Sequence, residues 1–137
     1  MMAEQHFYFD TSIWIDIYDE RGHNGEVARK LMEKIVMDDD EVLYSDMVVA
    51  ELKKLEFSEY DIHEMFGIAK PDHLKQVHLT REQTEEARRV SKQRDVPFGD
   101  AIHAILSRDY DAQLVTRDWD FEKLRDITKT AKPEDLI

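Results

Sequence analysis

The stretch that decides the fold is Val96-Pro97-Phe98-Gly99-Asp100-Ala101-Ile102-His103-Ala104-Ile105-Leu106. At about 100° per residue, Ala101, Ile102, Ala104, Ile105 and Leu106 fill most of a helical wheel. Asp100, His103 and Ser107 share the narrow stripe that is left. A helix this apolar around its circumference is packed on most sides. A carboxylate on it needs a partner, because a desolvated, unpaired charge is costly. Asp100 also falls in the first turn, where free N–H groups and the helix dipole favour an anion. Two readings fit the residue taken alone: a helix N-cap, or one of several carboxylates that meet at a site.

Outward from this helix, short apolar runs alternate with helical periodicity. His6-Phe7-Tyr8-Phe9 reads as a buried strand ending at Asp10, with a helix from Thr11 that carries Ile13, Trp14 and Ile17. Asn24 is the expected N-cap of a helix repeating Val27, Leu31 and Ile35. A second strand is predicted over residues 41–44. Ser45 should cap a helix to about Leu55, with Val48, Leu52 and Leu55 as its apolar stripe and Glu51 on the border of that stripe. Ser58 opens a further helix with Ile62 and Phe66 at i, i+4. A third strand is predicted over 75–79. Thr80-Arg81-Glu82-Gln83 is a capping box that starts a helix to about Arg94. After the organising helix come a strand over 112–116, a helical turn over 118–124 and a last strand over 127–130. Strands alternating with helices predict a parallel sheet covered on both faces.

Bulk properties narrow the function. The 137 residues are expected to form one domain, 1–137. With no cysteine, disulfides and cysteine-ligated zinc are excluded. Lys and Arg number 19 against 31 Asp and Glu, for a net charge of −12. That argues against a broad basic face for nucleic acid, though not against clustered carboxylates that present a metal ion. Asp38-Asp39-Asp40-Glu41, the densest charge run, reads as a solvated turn. Met1-Met2-Ala3-Glu4-Gln5-His6 lacks a basic region and a long apolar run, and no segment nears the roughly 20 apolar residues of a membrane span. A cytoplasmic protein is the expectation.

In an open parallel sheet, ligands bind beyond the carboxyl ends of the strands, where the strand order reverses. Asp10 ends the first strand and Asp118 lies just past the fourth. If strands one to three run to one side and four and five to the other, these two residues face each other across that crevice. Asp100 opens the helix leading into the fourth strand, and Glu51 is the remaining candidate, with an ordinary marginal glutamate as its alternative. Four carboxylates in one crevice repel one another and raise each other's pKa values. Oxygen-only ligands suit Mg²⁺ or Mn²⁺, and such ions promote in-line phosphodiester displacement by water.

Four stretches carry a family resemblance: Phe9-Asp10-Thr11-Ser12; Ser45-Asp46-Met47-Val48-Val49-Ala50-Glu51-Leu52; Pro97-Phe98-Gly99-Asp100-Ala101-Ile102-His103-Ala104; and Leu114-Val115-Thr116-Arg117-Asp118-Trp119-Asp120-Phe121. The ending Pro133-Glu134-Asp135-Leu136 adds to them. The chain resembles the PIN-domain nucleases, most closely the VapC-type toxin ribonucleases of toxin–antitoxin pairs. The resemblance implies a three-layer α/β/α fold with a parallel five-stranded sheet of order 3-2-1-4-5. It also implies an Mg²⁺- or Mn²⁺-dependent endoribonuclease whose products carry a 5′-phosphate and a 3′-hydroxyl. Asp10, Glu51, Asp100 and Asp118 match the family's acidic positions, with Asp120 as an alternative or additional fourth ligand. Thr116 and Ser12 match supporting hydroxyls, and His103 reads as a hydrogen-bonding support rather than a ligand. The implied partners are RNA, tRNA or another structured RNA among the candidates, a small antitoxin from a neighbouring gene, and a second copy in a homodimer. Lys53, Lys54, Arg88 and Arg89 are the basic residues that could meet phosphates, with plain solvation as their alternative. The rival readings are a PIN nuclease of RNA processing and a catalytically silent PIN-like binding module.

Overall fold

A computed structural model describes residues 4–19, 22–69 and 71–137. Its centre is a five-stranded sheet in the order β3-β2-β1-β4-β5, every neighbouring pair parallel. The strands are β1 (His6–Phe9), β2 (Glu41–Ser45), β3 (Leu74–Val77), β4 (Gln113–Val115) and β5 (Thr130–Ala131). The predicted α/β/α architecture and strand order are those of the structure. The helices are α1 (Thr11–Asp19), α2 (Gly22–Met37), α3 (Asp46–Lys54), α4 (Glu59–Gly67), α5 (Arg81–Arg94) and α6 (Phe98–Asp109). Among the described residues no helix is long and apolar enough to cross a membrane.

Parallel neighbours cannot be joined by a tight turn, so each connection crosses a face through helices. The chain steps from β1 outward to β2 and β3, then returns through α5 and α6 to β4 on the other side of β1. The order therefore reverses between β1 and β4, and a crevice opens at their carboxyl ends. Register sets what faces that crevice. Phe9 pairs with Val115, and the Asp10 amide donates to the Val115 carbonyl at 3.1 Å. Asp10 and Thr116 consequently leave the sheet side by side.

Helix α6 is buried continuously from Ala101 to Ser107. It touches β1, β4, α3 and α5, as its apolar circumference requires. Its polar stripe is satisfied internally: Ser107 donates back to the His103 carbonyl at 2.8 Å, and the His103 ring reaches two partners. Helix α5 opens on the expected Thr80–Gln83 capping box and closes on Asp95, whose φ of 53° turns the chain sharply into Val96-Pro97.

Several local expectations are corrected. Asn24 lies inside α2, which already begins at Gly22, so it is no cap. Ser45 stands at the N-cap of α3, but its hydroxyl makes no capping bond. It pairs at 2.7 Å with the hydroxyl of Tyr8, because the neighbouring strand brings a buried phenol that needs a partner. Leu55 is the C-cap of α3 and is 58% exposed, so it leaves the apolar stripe to Val48 and Leu52. The last strand lies at Thr130–Ala131, three residues later than its apolar pattern suggested, because Leu124, Ile127 and Thr128 are used in the turn that precedes it. Residues 1–3 fall outside the described part.

Candidate active site

Asp10 follows β1 at the mouth of the crevice, and its side chain is buried. Both carboxylate oxygens are held. Thr116 Oγ1 donates to Oδ2, while Ser12 Oγ at 2.7 Å and the Ile13 amide at 3.2 Å donate to Oδ1. Burial pushes its pKa up, and these donors act against that rise. Ser12 and Thr116 thus stand where hydroxyls orient a carboxylate.

Glu51 projects from α3 into the same cleft. Thr11 Oγ1 donates to its Oε1 at 2.9 Å, and His103 Nε2 lies 2.5 Å from the same oxygen. Burial pushes Glu51 up, but the hydrogen bond and charge of His103, with the Thr11 bond, outweigh it and hold the carboxyl below its ordinary value. The other ring nitrogen, Nδ1, is 2.7 Å from the Tyr8 hydroxyl, which meets Ser45 on its far side. Ser45, Tyr8, His103, Glu51 and Thr11 form one hydrogen-bonded chain from the core to the cleft. Both ring nitrogens of His103 are engaged, consistent with a supporting role.

Asp100 is the third residue of α6, and Pro97 occupies the N-cap position. The capping interpretation of Asp100 therefore fails. Its Oδ2 is buried with no hydrogen-bond partner among the described residues. Burial, then the nearby Asp118, push its pKa up to about 7. Asp118 follows β4 and is itself a cap: its Oδ1 accepts from the Asp120 amide at 2.9 Å, and its own amide donates to Thr116 Oγ1 at 3.0 Å. Asp100, Asp118 and Asp120 each offer an oxygen, and these oxygens lie within 4.8 Å of one another. Asp10 and Glu51 stand on the same cleft but outside that tight group. Its volume is about 700 Å³, and Asp10, Ser12, Glu51, Asp100, His103 and Asp118 line it.

Three features are not evident from sequence pattern. Tyr8 reads as strand core, although a hydroxyl between Phe7 and Phe9 signals that a buried partner is needed. Thr11 reads only as a helix start. Gly99 has an ordinary backbone, yet a Cβ there would lie 2.9 Å from Glu51 Oε2. Of the basic residues, Lys54 lines the cleft, Lys53 pairs with Glu59 at 3.8 Å, and Arg88 and Arg89 lie exposed on α5 away from the cleft lining. Arg117, between Thr116 and Asp118, is turned to Glu134 of the C-terminal segment at 2.8 Å.

The model of the PIN domain family matches residues 7–127. The chain belongs to the PIN domain family. No curated protein matches it by sequence. Several solved structures share the fold of this PIN domain. VapBC2 from Rickettsia felis, bound to a DNA fragment from its promoter, superposes with a TM-score of 0.71 at 12% identity, covering 93% of this chain and 98% of that one. VapBC-1 from nontypeable Haemophilus influenzae gives 0.67 at 16%, over 95% and 99%. The sarcin–ricin-loop-cleaving toxin VapC20 from Mycobacterium tuberculosis gives 0.66 at 19%, over 86% and 94%. At these identities the likeness is one of fold. In this PIN domain the acidic cleft lies at the switch point between β1 and β4, where a parallel sheet offers its ligand site.

Proposed function

We propose that this chain is a divalent-metal-dependent endoribonuclease, a single PIN domain acting as the toxin of a VapBC-type pair. The observation that carries the reading is that Asp100, whose Oδ2 is buried and unpartnered among the described residues, clusters with the carboxylates of Asp118 and Asp120. A carboxylate in that state lacks a counter-charge. An all-oxygen donor set of this kind fits Mg²⁺ or Mn²⁺. Asp10, Glu51, Asp100 and Asp118 would hold the ion, with Asp120 as an additional or alternative ligand beside Asp118. When bound, the ion supplies a water of lowered pKa and offsets charge on the phosphate oxygens.

The chain's own residues do the rest. Ser12, Thr116 and the Ile13 amide lock Asp10 in one orientation. Thr11 and His103 keep Glu51 ionised and pointed into the cleft. Lys54 is the cation on the rim that could meet a backbone phosphate. A chain of net charge −12 makes few such contacts. Fold neighbours that include a toxin–antitoxin complex support a small antitoxin as the partner; a homodimer and a cytoplasmic location belong to the same proposal. The neighbour that cleaves the sarcin–ricin loop makes structured RNA the first substrate class to try, tRNA included.

The test is cleavage of a panel of tRNA and structured RNA with Mg²⁺, Mn²⁺ or EDTA, comparing wild type with Asp100→Asn. Cutting that needs the metal and vanishes in the folded variant is expected. Equal cutting by the variant, or cutting in EDTA, would refute the reading.

A further inference from the structure

Two tryptophans occur in this chain, and they are used in opposite ways. Trp14 is fully buried, whereas Trp119 is 76% exposed between Asp118 and Asp120. The exposure has a local cause. The 3₁₀ turn Trp119–Leu124 puts Phe121 and Leu124 on one face, and both are buried, so Trp119 is directed away from the core. The turn is also held firmly at its start. The Asp118 amide bonds Thr116, the Asp120 amide bonds Asp118 Oδ1, and the Phe121 amide bonds the Asp118 carbonyl at 3.3 Å. The backbone that bears the indole is therefore held at a fixed place beside the acidic group.

Two hollows meet at Asp118. One is the acidic cleft; the other, of about 190 Å³, is lined by Trp119 with Thr116, Arg125 and Lys132. A chain lying across the acidic group toward the smaller hollow passes Trp119. The two arginines beside this path are engaged, Arg117 with Glu134 and Arg125 with Glu122 at 3.1 Å, which leaves Lys54 on the cleft and Lys132 in the smaller hollow for phosphates. The flanking carboxylates disfavour an acidic ligand. A nucleobase suits the position, since its face is uncharged and stacks on an indole without any cation.

We propose that Trp119 is a stacking platform for an unpaired base of the RNA, next to the phosphodiester at Asp100, Asp118 and Asp120. This rests on the ribonuclease reading and adds a substrate preference to it: a single-stranded or extruded nucleotide beside the cut, not a continuous duplex.

Both tryptophans emit, but buried Trp14 is out of reach of a stacking base, so a change in emission on RNA binding reports on Trp119. The probes are a short single-stranded RNA, its duplex and the same strand with an abasic position, titrated into Asp100→Asn protein. The single strand should quench the emission, the duplex should not, and the abasic strand should quench less. Trp119→Ala in that background should lose affinity about tenfold or more, with Trp119→Phe between the two. In the wild-type background Trp119→Ala should raise KM with little change in kcat. No quenching by single strands, or unchanged Kd and KM in Trp119→Ala, overturns the platform while metal-dependent cutting leaves the nuclease reading standing. Quenching that depends on the base, by a protein that never cuts, upholds the platform and removes the nuclease reading. Unchanged KM together with loss of the co-expressed antitoxin from Trp119→Ala assigns the indole to protein docking and overturns it.

Discussion

Gly99 and His103 show how much of this site depends on single atoms. A methyl at position 99 would sit 2.9 Å from Glu51 Oε2, and Glu51 cannot simply swing away because Thr11 and His103 hold its other oxygen. Alanine is a better helix former than glycine by about 1 kcal/mol. The clash offsets that gain, so Gly99→Ala should melt within a few degrees of wild type while binding Mn²⁺ roughly 10- to 100-fold more weakly, as displaced carboxylate supports do. Calorimetric titration beside a thermal melt separates the two effects; equal Mn²⁺ affinity would show that Glu51 takes no part. His103→Ala removes partners of Glu51 and Tyr8 together. Unpaired buried polar groups cost about 1–3 kcal/mol, so denaturant unfolding should show a loss of that order, and cleavage should fall with it.

At the scale of elements, the helices that frame the cleft were readable because their signals are local. Thr80 and Gln83 cap α5 reciprocally, at 3.1 and 2.8 Å, within four residues of chain. Thr80→Ala should cost about 1 kcal/mol of stability and leave cleavage per folded molecule unchanged, measured by urea unfolding alongside an activity assay. A large loss of activity would mean that α5 steers α6 and hence Asp100. The elements that were misjudged answer to distant neighbours. Ser45 has the composition of a cap, yet the phenol of Tyr8, 37 residues away, claims its hydroxyl. β5 is placed by pairing with β4, since Thr116 donates to the Ala131 carbonyl at 3.0 Å, and not by its own apolar pattern.

For the whole molecule, the gathered carboxylates make the fold sensitive to proton and metal together. Asp100 is raised from 3.8 to about 7, chiefly by burial, and Asp10 is raised for the same reason. As pH climbs from about 4 toward 7, the unfolded chain releases these protons while the folded chain still holds them. Stability of the metal-free protein should therefore fall across that window. Glu51 works the other way: its carboxyl is lowered from 4.5, so its contribution is present above that value and is lost only in more acidic solution. Mn²⁺ binds the ionised group, so its affinity should rise with pH over the same window and its presence should flatten the loss. Melting temperature against pH, with and without Mn²⁺, measures this. Asp100→Asn should remove most of the metal-free slope; an unchanged slope would place the titration elsewhere.

The sequence by itself determined most of the strands and helices, that they alternate, and which carboxylates end a strand or begin a helix. These follow from periodicity and capping over a few residues. It also determined that Asp100 lies on a helix too apolar to be exposed. Only the tertiary structure decided what each carboxylate touches. Thr116 reaches Asp10 across 106 residues through the register of β1 and β4, and His103 reaches Glu51 across 52 through the packing of α6 on α3. It likewise decided that Leu55 is exposed and that a Cβ at position 99 would crowd Glu51. The physical reason is range: backbone preference is local, whereas the environment of a side chain in a crevice is set by elements that meet only when the sheet is complete.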